Sequence, residues 1–267
     1  MTNLHLNKTQ WLTGLLFVAT AALVVGWLIA TPAGLLGKMD AIGYAICHRI
    51  AARSFDIGDR PLPLCARCTG MYLGALIALA YQSRLGKHGG LPSKKSLAVL
   101  AFFLVAFGID GVNSYAHFFP GAPSLYTPQN WLRLLTGTGM GIGMGAMLMP
   151  VFNQTIWKGW DNAKLLSSWR QLAVILLIAA VVDLAVLSNN PLLLYPLAIL
   201  SALTVMVLLS MIYAMVWVML SKSENRFESL RGMTTILVAG FATALSQIAV
   251  MDIGRYILTG TWKGFFS

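Results

Sequence analysis

Cys47-His48, followed by Cys65 and Cys68, are the residues of this chain best suited to chemistry. The chain has 3 cysteines, and all lie in the segment CHRIAARSFDIGDRPLPLCARCTG. Cys65 and Cys68 stand three apart at the expected start of a helix, so their side chains share a face. A helix N-terminus and the neighbouring Arg67 both favour thiolate over thiol. A Cys-x-x-Cys pair is a standard half-site for a thiolate-bound metal, and Cys47 is the obvious third ligand. His48 is the candidate fourth. Neighbours on a helix point about 100° apart, so one ion held by both requires a non-helical bend there. His117 is the alternative ligand. Zinc suits this set better than an iron–sulfur cluster, which usually takes four cysteines. A redox dithiol at Cys65 and Cys68 is the competing chemistry. His5 and His88 read as structural hydrogen-bonding residues.

Further polar groups gather near the cysteines in sequence or at the same expected depth. Arg49, Arg53, Arg60 and Arg67 could cradle an anionic headgroup, a carboxylate or a quinone oxygen. Asp110, Asn113, Asn130 and Arg133 fall at the ends of apolar spans on the same side, and with Arg53 and Arg67 they define an expected polar vestibule. Arg133 is expected to pair with Asp110, tying the third span to the fourth. Asp183 and Asp252 lie at a similar level, where charges are expensive and usually face a bundle interior or a cavity.

The elements that must position these groups follow from composition. Hydrophobic residues make up 57% of the chain and charged residues 10%, with mean hydropathy +0.72. Soluble domains carry about 25% charged residues. Apolar stretches near 10–30, 65–82, 96–112, 131–150, 170–188, 194–220 and 232–251 approach the roughly 20 residues needed to cross a bilayer. No alternation suited to a barrel strand repeats along the chain. In lipid the backbone must pair within each segment, so the spans are helices. The expected fold is all-α: a polytopic membrane bundle of about seven transmembrane helices. The first apolar run exceeds the roughly 7–15 residues of a cleaved signal core and reads as a retained anchor. Residues 38–52 read as a short helix lying in the interface, and Arg60-Pro61-Leu62-Pro63 as a rigid lead-in to a helix starting near Leu64. Within the fourth span, Gly137, Gly141 and Gly145 share one face and let a second helix approach closely. They are not a dinucleotide fingerprint, because no strand precedes them. Met140, Met144, Met147 and Met149 read as packing residues. Pro120, Pro123 and Pro128 mark an ordered outer loop.

A net charge of +10 could suggest nucleic acid, but surplus lysine and arginine in a membrane protein marks cytoplasmic loops. Loops 113–130 and 189–193 hold no lysine or arginine. The bias puts the N-terminus in the cytoplasm, and the cysteine loop and C-terminus outside it. Lipid is the expected surroundings, and nucleic acid is not an expected partner.

The blocks CHRIAARSF, RPLPLCARCTGMYLG, GIDGVN and NWLRLLTG occur in that order. They resemble an uncharacterised family of prokaryotic membrane proteins, domain of unknown function twenty eighty-five, across roughly residues 40–150. The resemblance implies a polytopic membrane protein whose hallmark is the Cys-His and Cys-x-x-Cys elements. It divides the chain into a membrane core, 1–151, with about four spans, and a three-span extension, 152–267. Three functions fit. One is a membrane protein with a zinc site of Cys47, Cys65, Cys68 and His48. Another is a quinone-linked thiol oxidoreductase, against which counts the lack of a second cysteine pair. The last is an accessory subunit braced by the cysteine motif, with other membrane subunits as partners.

Overall fold

A computed structural model describes residues 8–263 other than 120 and 122; His5 and Pro120 lie outside the described residues. The helices are α1 Lys8–Ala30, α2 Leu35–Ile46, α3 Ala66–Gln82, α4 Lys94–Ala116, α5 Asn130–Ile156, α6 Trp169–Leu187, α7 Pro191–Leu220 and α8 Thr234–Thr259. Six of them, all but α2 and α3, are long and apolar enough to cross a membrane. With its many apolar side chains facing outward, this is a multi-pass membrane protein that sits in a lipid bilayer.

The loops show that α3, at 17 residues, crosses the same layer. Those flanking α3, α5 and α7 alternate between two faces. On one face Asn130 donates to the carbonyls of Ala52 and Ser54, and Arg49 donates to Trp262 O at 3.1 Å. On the other, Asp161 N donates to Lys87 O, Lys158 N to Phe227 O and Asn225 N to Thr155 O. There the short strands β3 (His88–Gly90) and β4 (Asp161–Lys164) pair in parallel. A helix that leaves the cysteine face at Ala66 and delivers the chain to β3 has traversed the bundle. Its 17 residues rise about 25 Å, a little under the roughly 30 Å of hydrocarbon. α3 is flanked by α5, α6 and α7, so protein rather than lipid covers much of it.

The tightest packing in the molecule is α3 on α5. Glycines make it possible, on both helices. A Cβ at Gly137 would lie 2.1 Å from Arg67 O, and one at Gly141 1.9 Å from Met71 O. From the other side, a Cβ at Gly74 would meet Thr138 O at 2.3 Å. Gly145 belongs to the same stripe, since a Cβ there would lie 2.8 Å from Ala75 O. The backbones therefore touch along the face expected from the sequence. Met144 and Met149 pack against the buried Ala75, Leu79 and Leu208. Outside this pair, α7 and α8 pack on each other and on α2, and α1 lies at the edge against α8.

Candidate metal centre

The segment before Cys47 is helical, but the helix is shorter than the expected 38–52. α2 stops at Ile46, and Cys47 is extended, with φ −125° and ψ 145°. The chain then turns sharply through Arg49, at φ 52°. This is the non-helical bend that joint use of Cys47 and His48 requires. The Arg60–Pro63 lead-in is the second arm of a hairpin, in which β1 (Asp56–Ile57) pairs with β2 (Arg60–Pro61) around Gly58 at φ +61°. Leu62 N closes it by donating to Phe55 O at 2.8 Å. α2 seats directly on the end of this lead-in, since a Cβ at Gly43 would fall 2.0 Å from Pro63 O. Gly43 thus brings the Cys47 arm against the Cys65 arm.

The consequence is a sulfur cluster. The Sγ atoms of Cys47, Cys65 and Cys68 all lie within 4.8 Å of one another. Cys47 and Cys65 are buried and Cys68 is half-buried. Such a group could hold a metal ion. Cys65, at the N-cap of α3, donates its backbone N–H to Cys47 Sγ at 3.4 Å. His48 Nδ1 lies 3.9 Å from Cys47 Sγ and accepts from Ile50 N at 3.4 Å; it stands outside the three-sulfur set. His117 stands outside it too, exposed at the C-cap of α4.

The electrostatics differ from the expectation that the helix start and Arg67 favour thiolate at Cys65 and Cys68. Hydrogen bonds from the Cys65 and Cys68 thiols hold Cys47 well below the usual thiol range. Donating to Cys47 and being buried push Cys65 up to about 12. Negative charge therefore settles first on Cys47, the sulfur outside any helix. Arg67 does not serve the sulfurs, because its guanidinium is turned to Asp110. It donates through Nε to Asp110 Oδ2 at 3.1 Å and through Nη2 to the same oxygen, forming an ion pair.

That pair also replaces the expected Arg133–Asp110 contact. Asp110 is 1% exposed and is filled by Arg67, Tyr126 OH at 2.9 Å and Thr136 Oγ1 at 3.5 Å. Arg133 turns instead to Asn130 Oδ1 at 2.8 Å and Ser114 Oγ at 3.4 Å. The close α3–α5 contact is the reason, since it brings Arg67 to the carboxylate from the adjacent helix. A buried carboxylate stripped of its partner is strongly destabilising, so this tie fixes α3 to α4. Asn130 joins Arg133 to the cysteine loop. Asn113 clamps the loop between α4 and α5, accepting from Leu125 N at 2.7 Å and donating to Tyr126 O at 2.9 Å. Asp183 and Asp252 are buried in other interfaces, bonded to Thr138 and Trp27 respectively. Arg49 and Arg60 both pair with Asp40 of α2.

Arg255 is the positioning residue that spacing alone does not reveal. Its Nη1 donates to Tyr44 O at 2.5 Å and Cys47 O at 2.6 Å, and its Nη2 to His48 O at 3.3 Å. The guanidinium lies 4.1 Å from the centre of the Tyr44 ring. It satisfies the carbonyls that the end of α2 leaves open and so sets the backbone of Cys47 and His48. Its one sequence signal is a lone cation near the end of an apolar span.

Comparison with known proteins gives the same region. Residues 47–147 match the family described as predicted membrane protein (DUF2085). An uncharacterised protein of Methanothermobacter thermautotrophicus is 33% identical over 113 residues, which are 42% of this chain and 90% of that protein. An uncharacterised protein of Methanocaldococcus jannaschii is 28% identical over 120 residues, 44% of this chain and 70% of the relative. No solved structure matches the chain.

Proposed function

This chain belongs to the DUF2085 family of predicted membrane proteins, and from that premise we propose that it carries a zinc site at the extracytoplasmic face, formed by Cys47, Cys65, Cys68 and His48. The observation that carries the reading is the convergence of three sulfurs, from two chain segments, to within 4.8 Å of one another. Tetrahedral zinc with bonds of about 2.3 Å to sulfur needs sulfurs about 3.8 Å apart, a small adjustment from that spacing. His48 Nδ1, 3.9 Å from Cys47 Sγ, supplies the fourth donor by a turn of its ring. Two features support a built site. An amide N–H already points at Cys47 sulfur, as outer-shell donors do at metal thiolates. Arg255 fixes the ligand backbone. The ion would staple the first outer loop to α3.

Elemental analysis of the purified full chain tests this. The expected result is one zinc per chain, lost in Cys65→Ser and in Cys47→Ser. No stoichiometric metal in the wild type, together with unchanged behaviour of Cys65→Ser, sinks the reading. A Cys65–Cys68 disulfide found by mass measurement without reductant would favour thiol–disulfide exchange with a quinone instead.

A further inference from the structure

Next to the sulfur cluster lies a cavity of about 290 Å³, lined by His48, Ile50, Arg53, Arg67, Gly111, Tyr115 and Phe118. Three guanidiniums meet behind it on one residue. Arg53 Nη2 donates to Ser114 O at 3.0 Å, Arg67 Nη2 to Ser114 Oγ at 3.0 Å, and Arg133 Nε to the same oxygen at 3.4 Å. Ser114 is 1% exposed and Arg133 6%. Among the described residues, one carboxylate is bonded to this group, Asp110, and it is committed to Arg67. Three positive charges less one negative leave a surplus of two in a half-dry site. Arg53 feels that surplus: burial and then the charges of Arg133 and Arg67 hold it below the usual guanidinium range.

We propose that this cavity binds a terminal phosphate group, either as the monoester headgroup of a lipid or as free inorganic phosphate. Like charges brought together in a partly desolvated place call for an anion to offset them. Arginine forks are the side chains best matched to phosphate oxygens. Arg53 is set in advance, its guanidinium stacked 3.8 Å over the Phe118 ring and bonded to one carbonyl, which leaves other N–H groups for a ligand. Arg67 of α3 lines the same space, so guanidinium donors face the cavity from two chain segments. Two separate guanidinium forks suit the three terminal oxygens of a phosphate group better than the two of a carboxylate. The site stands on the arginines alone and does not require a metal at the cysteines.

The experiment measures binding of inorganic phosphate, of short-chain phosphatidic acid and of acetate to the purified full chain by calorimetry, with zinc content assayed on the same samples. Wild type should bind phosphate or the phosphatidic acid saturably. Arg53→Gln should weaken that at least tenfold, and Arg53→Lys should fall between, with zinc content unchanged in both. Arg53 serves as the test position because Arg67 also holds the buried Asp110, whose loss would confound folding. Binding of the lipid but not the ion assigns the lipid source; binding of both assigns the phosphate group itself. No saturable binding to wild type, equal binding by folded Arg53→Gln, or acetate bound as tightly as phosphate overturns the proposal. Zinc content that fails while phosphate binding survives discards the metal reading alone.

Discussion

Substituting one glycine of α5 tests whether backbone contact with α3 holds the site together. An alanine Cβ at Gly141 would lie 1.9 Å from Met71 O and 2.8 Å from Ala75 N. Ordinary van der Waals contact begins at 3.4 Å, so the two helices must separate locally by about 1.5 Å. Both obstructing atoms are backbone atoms of a helix, and no rotamer change relieves them. Overpacking of this kind costs about 1–3 kcal/mol, and this case belongs at the upper end because a whole helix must move. Alanine recovers roughly 1 kcal/mol over glycine through its helix propensity, leaving a net loss of about 2 kcal/mol for Gly141→Ala. Gly143 supplies the control. It lies on the same helix two residues on, and a Cβ there meets nothing within 4 Å. Gly143→Ala should therefore be neutral to about 1 kcal/mol stabilising. Denaturant or thermal unfolding of both variants in one mild detergent gives the difference directly. Gly137→Ala extends the test to the centre itself, because its Cβ would strike Arg67 O at 2.1 Å, between Cys65 and Cys68. It should lower bound zinc as well as stability. If Gly141→Ala and Gly143→Ala unfold together, the contact does not hold α3 in place and the reasoning fails.

Two further outcomes follow from groups on and around the cysteine loop. Burial lifts Asp40 above 3.8, although Arg49 and Arg60 pull it down. The folded state therefore binds this proton more tightly than the unfolded state. The stability it adds is full below 3.8 and is lost as pH rises through the folded value. Asp40→Asn should flatten the fall in melting temperature on the acid side just above that value; an unchanged slope would assign the pH dependence elsewhere. The orientation is tested by labelling intact cells with a membrane-impermeant maleimide. Asp59→Cys, on the exposed hairpin of the cysteine face, should react, whereas Glu224→Cys, exposed on the other face, should react only after lysis. The reverse pattern would turn the protein over.

The spans and the glycine face could be read from the chain because their causes are local. Apolar length sets a membrane helix, and a four-residue repeat of small residues sets a face along which backbones can meet. The partners of the charged groups could not be read in this way. Arg133 is the expected mate for Asp110 from the sequence, whereas the structure gives Arg67. The choice depends on how closely α3 approaches α5, and that distance is set by glycines on both helices. The end of α2 was hidden for a related reason. Residues 47–52 keep a helical pattern of apolar and polar types, but the hydrogen bonds from Arg255 to the carbonyls of Tyr44, Cys47 and His48 pay for ending the helix early. A propensity reading weighs neighbours in sequence and has no access to a side chain that arrives from α8.

Arg255 also bears on how the matched region relates to the remainder of the chain. The family match covers residues 47–147, which hold all three cysteines but neither α7 nor α8. In the structure those later helices pack into the same core as the sulfurs. Cys47 and Cys65 share one buried cluster with Met39 and Ile42 of α2, Val205 and Met206 of α7, and Leu245 and Ile248 of α8. α8 sends Arg255 to the Cys47 carbonyl, and the residues just after it hold the loop from the far side, with Arg49 bonded to Trp262 O and Tyr44 OH to Thr261 O. The geometry of Cys47 in this chain is therefore fixed by segments outside the match. A chain reduced to the matched region would keep every candidate sulfur ligand and lose the contacts that set the position of one of them. Ligand identity and ligand placement are thus carried by different parts of this sequence.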